Sequence, residues 1–344
     1  MLKEVKMKRT SLLLCLLLSL AASGHAKPPA RGASGALVGE EAGASADLPS
    51  EAKPRQTFTA RVRARARQLR DRLSAHHAAR TGVEERGERT TDPKFDKEDA
   101  EGWHTFAGVP FVEGRGDGRE IHPNDPRQGA LGDCYVISAM IAIARTDPGK
   151  IRRMIRDLGG GRYEVHLYDV GTFWTDSKQV VTARLPYVTD GGSRRPVYAR
   201  STDTRREGDR TLLELWPSLI EKAYAQYEGS YPGIESGYAS SAMSFMTGAD
   251  TDHDVIWPWT SSNWIRDRLS NALRDGHPVC VGTKDDVGDL GAEVGLVGGH
   301  AYVVWAEEDG RFRLYNPWGR RHPSRTLSAS ELRRLIDNVY VGNF

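Results

Sequence analysis

Residues 134–144 read Cys-Tyr-Val-Ile-Ser-Ala-Met-Ile-Ala-Ile-Ala and are apolar on nearly every face. A helix of that kind has no solvent side, so the chain must wrap a core around it. Asp147-Pro148-Gly149 supplies the stop. The helix begins with one of only three cysteines in 344 residues, too few for a disulfide framework. The glycines, 36 in all, follow no three-residue period, which excludes a collagen-like chain.

What surrounds this helix is uneven. Lys3, Lys6, Lys8 and Arg9 precede an apolar run from Leu12 to Ala22 that ends at Gly24-His25-Ala26, so residues 1–26 read as a secretory signal peptide. The run is shorter than the roughly 20 apolar residues a membrane span needs, and no transmembrane segment is expected. Cys15 lies inside the run and leaves with it. Removal takes the net charge from +2 to −1, four positive charges and one negative charge being lost. A near-neutral total gives no case for nucleic-acid binding. The expected location is exported, periplasmic or secreted.

Residues 27–100 are rich in Ala, Gly, Ser, Pro and Arg, with Phe58 and Phe95 as their only aromatic residues. They read as a disordered linker or a pro-segment. Arg55 to Arg72 within it carries seven arginines against one aspartate, a solvated charge run or a basic helix that binds an anionic surface or folds back over an acidic cleft. His76-His77 has no second ligand pair at metal-site spacing.

Aromatic and aliphatic content rises at Trp103, and the chain reads as folded from about residue 101 to Phe344. A second helix is expected over Lys150 to Leu158, then a strand through Tyr163, Val165 and Leu167. Leu212, Leu213, Trp216, Leu219, Ile220 and Ala223 recur at helical spacing. After Gly248 come a helix, Trp264 to Arg274, and strands over Pro278 to Thr283, His300 to Ala306 and Arg311 to Tyr315. The class is α+β, with a helical subdomain over 101–247 and a β-rich one over 248–344.

Cys134 follows Gln128-Gly129-Ala130-Leu131-Gly132-Asp133 at the helix start, where amides and macrodipole favour a thiolate. A nucleophilic cysteine needs a base, and the base an orienting group. His300 starts a strand after Gly298-Gly299, and Asn316 ends the next one. A turn at Glu307-Glu308-Asp309-Gly310 is expected to set His300 opposite Asn316, Tyr302 opposite Leu314 and Val304 opposite Phe312. A one-residue slip would put His300 and Asn316 on opposite faces. In the expected register Asn316 accepts from one imidazole nitrogen and leaves the other facing the thiolate.

Four blocks in order, Gln128 to Cys134, Glu214-Leu215-Trp216 with Leu219 to Ala225, Gly299-His300-Ala301-Tyr302, and Arg313 to Gly319, resemble the calpain-family cysteine protease core. The form is that of a bacterial-type secreted member. The resemblance implies a papain-like two-lobed fold, a helical lobe carrying the Cys and a β-rich lobe carrying the His and Asn. It implies Cys134 as nucleophile, His300 as general base and acid, Asn316 as the orienting residue and Gln128 as oxyanion donor. Gly299 and Trp318 would line the substrate cleft, Trp318 being equally open to ordinary core packing. Cys280 matches an unreactive strand cysteine.

The same matching implies calcium ligands at Asp125 and Glu214, since hard oxygen donors suit that ion. At most one calcium site is expected, and no cofactor is required for the chemistry. The expected activity is cleavage of polypeptides through a thioester acyl-enzyme, calcium-regulated if that site is real, with the N-terminal segment as a candidate pro-region. Two alternatives are transglutaminase or amidase acyl transfer, whose folds commonly orient the His with Asp, and a degenerate protease kept as a binding module.

Overall fold

The structure, a computed structural model, describes residues 91–114, 118–169 and 175–344. The expected signal peptide, the Arg55 to Arg72 run and His76-His77 lie outside the described residues. The chain divides into two units, 1–54 and 55–344, and every described residue belongs to the second.

The apolar segment forms helix α1, Cys134–Thr146, with Tyr135 through Ala144 all buried. Its stop is shared: Asp147 ends α1 and caps α2, Pro148–Met154, its carboxylate accepting from the Lys150 amide. Three further helices matter for the site: α3 (Trp216–Glu228), α4 (Ala239–Thr247) and α5 (Ser262–Arg274). Two short ones follow, α6 (Gly288–Val294) and α7 (Ala329–Leu335).

Strands β1 (Gly102–Thr105), β2 (Gly108–Val109), β3 (Ile155–Gly159), β4 (Arg162–Asp169), β5 (Thr175–Thr182), β6 (Arg184–Asp190), β7 (Ser193–Pro196), β8 (Thr204–Glu207) and β9 (Arg210–Glu214) fall before α3 and form three small three-stranded sheets. The first half is therefore less helical than its periodicity suggests. The expected helix Lys150 to Leu158 ends at Met154, because Ile155–Gly159 (β3) pairs antiparallel with Arg162–Asp169 (β4). Leu212 and Leu213 belong not to α3 but to β9 (Arg210–Glu214). The helix itself starts at Trp216, with Pro217 in its first turn. Residues 92–100, assigned to the polar segment on composition, pack on this body: Asp92 pairs with the buried Lys222 at 2.6 Å and with Arg184 at 2.6 Å.

The second half is built on one antiparallel sheet of six strands. They are β10 (Thr251–Val255), β11 (Val279–Thr283), β12 (Ala301–Glu308), β13 (Arg311–Tyr315), β14 (Leu327–Ser328) and β15 (Ile336–Gly342). Their order is β10-β15-β11-β12-β13-β14. The central strands alternate between two cores. Cys280, Ala301, Val303 and Tyr340 pack into the core of α1, whereas Val281, Tyr302, Val304 and Val339 face a second core with Ile265, Leu269 and Leu332. The two-residue period thus clamps the sheet between α1 and the α5–α7 layer. Among the described residues, no helix is long and apolar enough to cross a membrane.

The β12–β13 register differs from the expected one by two residues. Val303 pairs with Tyr315 and Val304 with Leu314, so His300 is not opposite Asn316. The turn is Asp309-Gly310 alone, with φ of 51° and 72°, and the ladder continues to the Glu308–Arg311 pair. Two successive positive φ values make the tight primed turn that Asp-Gly favours. Glu307 and Glu308 stay in the strand instead.

Candidate active site

Cys134 is the first residue of α1, is partly exposed and takes part in no disulfide. The loop before it is seated by close backbone contact. A Cβ on Gly129 would lie 2.1 Å from the Val197 carbonyl oxygen, and the Ala130 amide donates to that same oxygen at 3.0 Å. The Gln128 amide donates to Pro317 O at 3.0 Å, which ties this loop to the segment after Asn316. Gln128 Nε2 donates to Leu131 O at 2.7 Å. A primary amide carries a second N–H, which is the one available to an oxyanion.

His300 immediately precedes β12 and is held by its own backbone. Its amide donates to Thr283 Oγ1 at 2.9 Å and its carbonyl accepts from the Thr283 amide at 2.9 Å. The Gly299 amide donates to Lys284 O at 2.8 Å, which anchors the residue before it. His300 Nε2 lies 3.1 Å from Asn316 Oδ1. Asn316 is fully buried, its Nδ2 donates to Arg321 O at 3.1 Å, and Oδ1 also accepts from the Trp318 amide at 3.1 Å. With the amide so fixed, Oδ1 is an acceptor toward His300, so Nε2 carries the proton and Nδ1 has the lone pair.

The two halves meet here. Ser138, one turn after Cys134, donates to Ala301 O at 3.2 Å, directly after His300. The Cys134 thiol lies within Coulombic reach of Tyr302, whose ring packs edge-on against His300 at 5.0 Å. The partly buried Trp318 covers His300 from another side, its ring centroid 4.9 Å away. Cys280 is fully buried with its thiol toward Ser138 O, and burial pushes it far up, away from the thiolate.

Asp125 and Glu214 do come together, and Asp203 joins them: each offers a carboxylate oxygen, all within 4.8 Å of one another. Glu214 Oε1 accepts from the Val112 amide at 2.9 Å, while its Oε2 is buried with no hydrogen-bond partner among the described residues. Burial, and then the charge of Asp125, push Glu214 up to about 8. An orphaned buried oxygen facing two other hard oxygen donors fits a divalent cation such as calcium. Asp203 escaped the sequence reading because it is 78 residues from Asp125 and in no motif with it; the β9 strand after it brings it in, the Glu214 amide donating to Asp203 O at 3.1 Å.

A second acidic pair was likewise invisible in the sequence. Asp133, immediately before the thiol, faces Glu221 from α3, and their exposures are 0% and 1%. Both Glu221 oxygens accept from the Ala199 amide, at 3.0 and 3.1 Å. Burial pushes both carboxyls up, and the charge of Asp133 would raise Glu221 further.

Residues 117–330, more than half of the chain, match the family described as calpain family cysteine protease. The chain is 29% identical over 209 residues to calpain-9 of Rattus norvegicus, which covers 56% of this chain and 28% of that protein. Identity is also 29% over 208 residues to the calpain-type cysteine protease DEK1 of Arabidopsis thaliana, covering 58% and 9%. Calpain-12 of Homo sapiens gives 29% over 211 residues, covering 58% and 27%. The match spans less than a third of the length of each of these relatives. An α+β body with a cysteine opening a helix and a histidine just ahead of a sheet strand places the fold in the papain-like class. Within that class, the chain belongs to the calpain family of cysteine proteases.

Proposed function

We propose that this chain is an exported cysteine endopeptidase that cleaves polypeptides through a thioester acyl-enzyme. The observation that carries the reading is the 3.1 Å contact between His300 Nε2 and Asn316 Oδ1, in a strand register against the helix that Cys134 opens. His300 Nδ1 takes the thiol proton, and Cys134 Sγ attacks the scissile carbonyl carbon. The oxyanion is met by the Cys134 amide at the helix N-terminus and by the Gln128 side-chain amide. The tetrahedral intermediate collapses as His300 returns the proton to the leaving amine, giving the thioester. Water, deprotonated by His300, then releases the acid product. Trp318 and Gly299 line the cleft beside the imidazole.

Asp125, Asp203 and Glu214 would hold one calcium ion, whose charge would relieve their mutual repulsion. Asp125 is three residues before Gln128, and its Oδ2 accepts from the Trp216 indole at 3.2 Å and the His122 amide at 2.6 Å. These bonds orient the loop that leads to the oxyanion donor. Residues 1–26 are read as a signal peptide and residues 27–100 as a linker or pro-region. Hydrolysis of quenched fluorescent peptides by the full chain, and its absence in Cys134→Ala, tests the activity. Amine incorporation into a glutamine substrate in preference to hydrolysis would replace this reading by acyl transfer. N-terminal sequencing of the exported protein, wild type beside Cys134→Ala, tests self-processing.

A further inference from the structure

Three arginines converge beside the candidate active site, none with an ion-pair partner among the described residues. Arg127 directly precedes Gln128, and its backbone pairs with that of Arg200 through hydrogen bonds of 2.8 and 3.1 Å. The Arg127 side chain lies over the backbone of Gly319: a Cβ there would fall 2.1 Å from Arg127 Cδ and Nε. Arg127 Nη1 donates to the Tyr315 hydroxyl at 3.2 Å and to Pro126 O at 3.1 Å, so its guanidinium is held between the Gln128 loop and the segment after Asn316. Arg320, exposed, follows Gly319.

The cationic charge is unbalanced. Arg195 has an ion-pair partner in Asp190 at 3.0 Å, but Arg127, Arg200 and Arg320 have none among the described residues. Arg200 is lowered by burial first, then by the charges of Arg195, Arg320 and Arg127; Glu221 alone opposes this. Like charges held together without a direct ion-pair partner form a site that an incoming anion relieves.

We propose that Arg127, Arg200 and Arg320 form a subsite for an acidic side chain of a polypeptide substrate, on the leaving-group side of the cleaved bond. The proposal rests on the cysteine-protease reading above for the direction of the substrate. His300 must protonate the leaving amine, so that half of the substrate runs past the imidazole. Trp318 is against His300, and Arg320 is two residues beyond it. Asp or Glu within about three residues after the scissile bond, a reach of about 10 Å along an extended chain, meets the cluster.

The test uses the full chain carrying Cys134→Ala and two fluorescein-labelled peptide sets, identical except for Glu or Gln. Fluorescence anisotropy should show the Glu set binding about tenfold tighter at low salt, the scale of one charged hydrogen bond. The difference should shrink at high salt, disappear in Arg320→Gln and invert in Arg320→Glu. Equal affinity for the two sets, or a preference that survives Arg320→Glu, overturns the subsite. Wild-type digestion of a mixed peptide library, with the cut sites sequenced, should enrich Asp and Glu after the scissile bond; enrichment only before it overturns the placement. Arg320-dependent binding of the Glu set with no cutting by wild type would instead retain the anion subsite and reject the protease reading.

Discussion

His300 and Asn316 share one face of the β12–β13 ladder because a single residue, Trp305, is bulged out of it. Continuing the pairs Val304–Leu314 and Val303–Tyr315 by one residue puts Asn316 beside Tyr302, on the His300 face. Nearer the turn the pairs are Ala306–Arg313, Glu307–Phe312 and Glu308–Arg311, and that register, continued without the bulge, would put Asn316 beside Val303 on the opposite face. The extra residue reverses the parity that the two-residue turn imposes. The 3.1 Å contact between Nε2 and Oδ1 depends on it.

Deleting Trp305 should therefore be worse for activity than replacing it. Trp305→Phe keeps the residue count and the register, and its kcat should stay near wild type. Deletion rotates Asn316 away from His300 and should lower kcat by about 10²-fold or more, the scale of losing catalytic geometry. Circular dichroism must show both variants folded. Equal kcat in the two would sink the parity argument.

The two thiols of the described chain should behave very differently toward alkylation. Cys134 is partly exposed at a helix start, whereas Cys280 is fully buried and pushed far up by burial. Iodoacetamide on the native protein should add one equivalent per folded domain, at Cys134, and none in Cys134→Ala. Peptide mass mapping locates the label. Modification of Cys280 at a similar rate would contradict the buried assignment.

Stability should fall as pH rises through the neutral range. Asp133 and Glu221 are raised by burial, and Asp337 is raised to about 6, again chiefly by burial. Their folded values exceed the unfolded ones, so between about pH 4 and 7 the native state holds protons that the unfolded chain has released. Each retained proton lowers unfolding free energy by up to about 1.4 kcal/mol per pH unit. Glu331 runs the other way, lowered to about 2 despite its burial by bonds to Ser328 and Arg325, but its stabilisation is complete above about pH 5. Urea denaturation at pH 5, 6, 7 and 8 with divalent cations removed should show the decline, and Asp133→Asn should flatten it. A wild-type stability that rises over this window would contradict the raised carboxyls.

Calcium should raise the melting temperature of the full chain, and Asp203→Ala should weaken that rise as much as Asp125→Ala does. Binding to the native state alone adds about 2.7 kcal/mol at a hundredfold excess over Kd. Thermal shift with and without calcium reads this directly. Trp216 gives a second signal, because its indole donates to Asp125. An undiminished calcium shift in Asp203→Ala removes that residue from the site; no shift in wild type removes the site.

Local pattern and spacing were enough for part of this molecule. The unbroken apolar run could only become the buried α1, and the Asp-Pro-Gly stop and the Asp-Gly turn carry their geometry in adjacent residues. Motifs close in sequence led to Cys134, to the His300–Asn316 pair and to Gln128. What depended on contacts between distant segments was less visible. Helical spacing at Leu212 and Leu213 lost to the pairing of β9 with its neighbours, and the Lys150 helix was cut short by the β3–β4 hairpin.

By itself, then, the sequence determined the class of fold, the order of its blocks and the existence of one hairpin with its Asp-Gly turn, because these follow from periodicities and turns within a few residues. Tertiary structure alone decided the two-residue register with its bulge at Trp305, the joining of Asp203 to Asp125 and Glu214, the acid pair of Asp133 and Glu221, and the gathering of Arg127, Arg200 and Arg320. Each sets groups side by side that are many residues apart or across a strand. Their energies arise from burial and charge in the packed state, which no local pattern encodes.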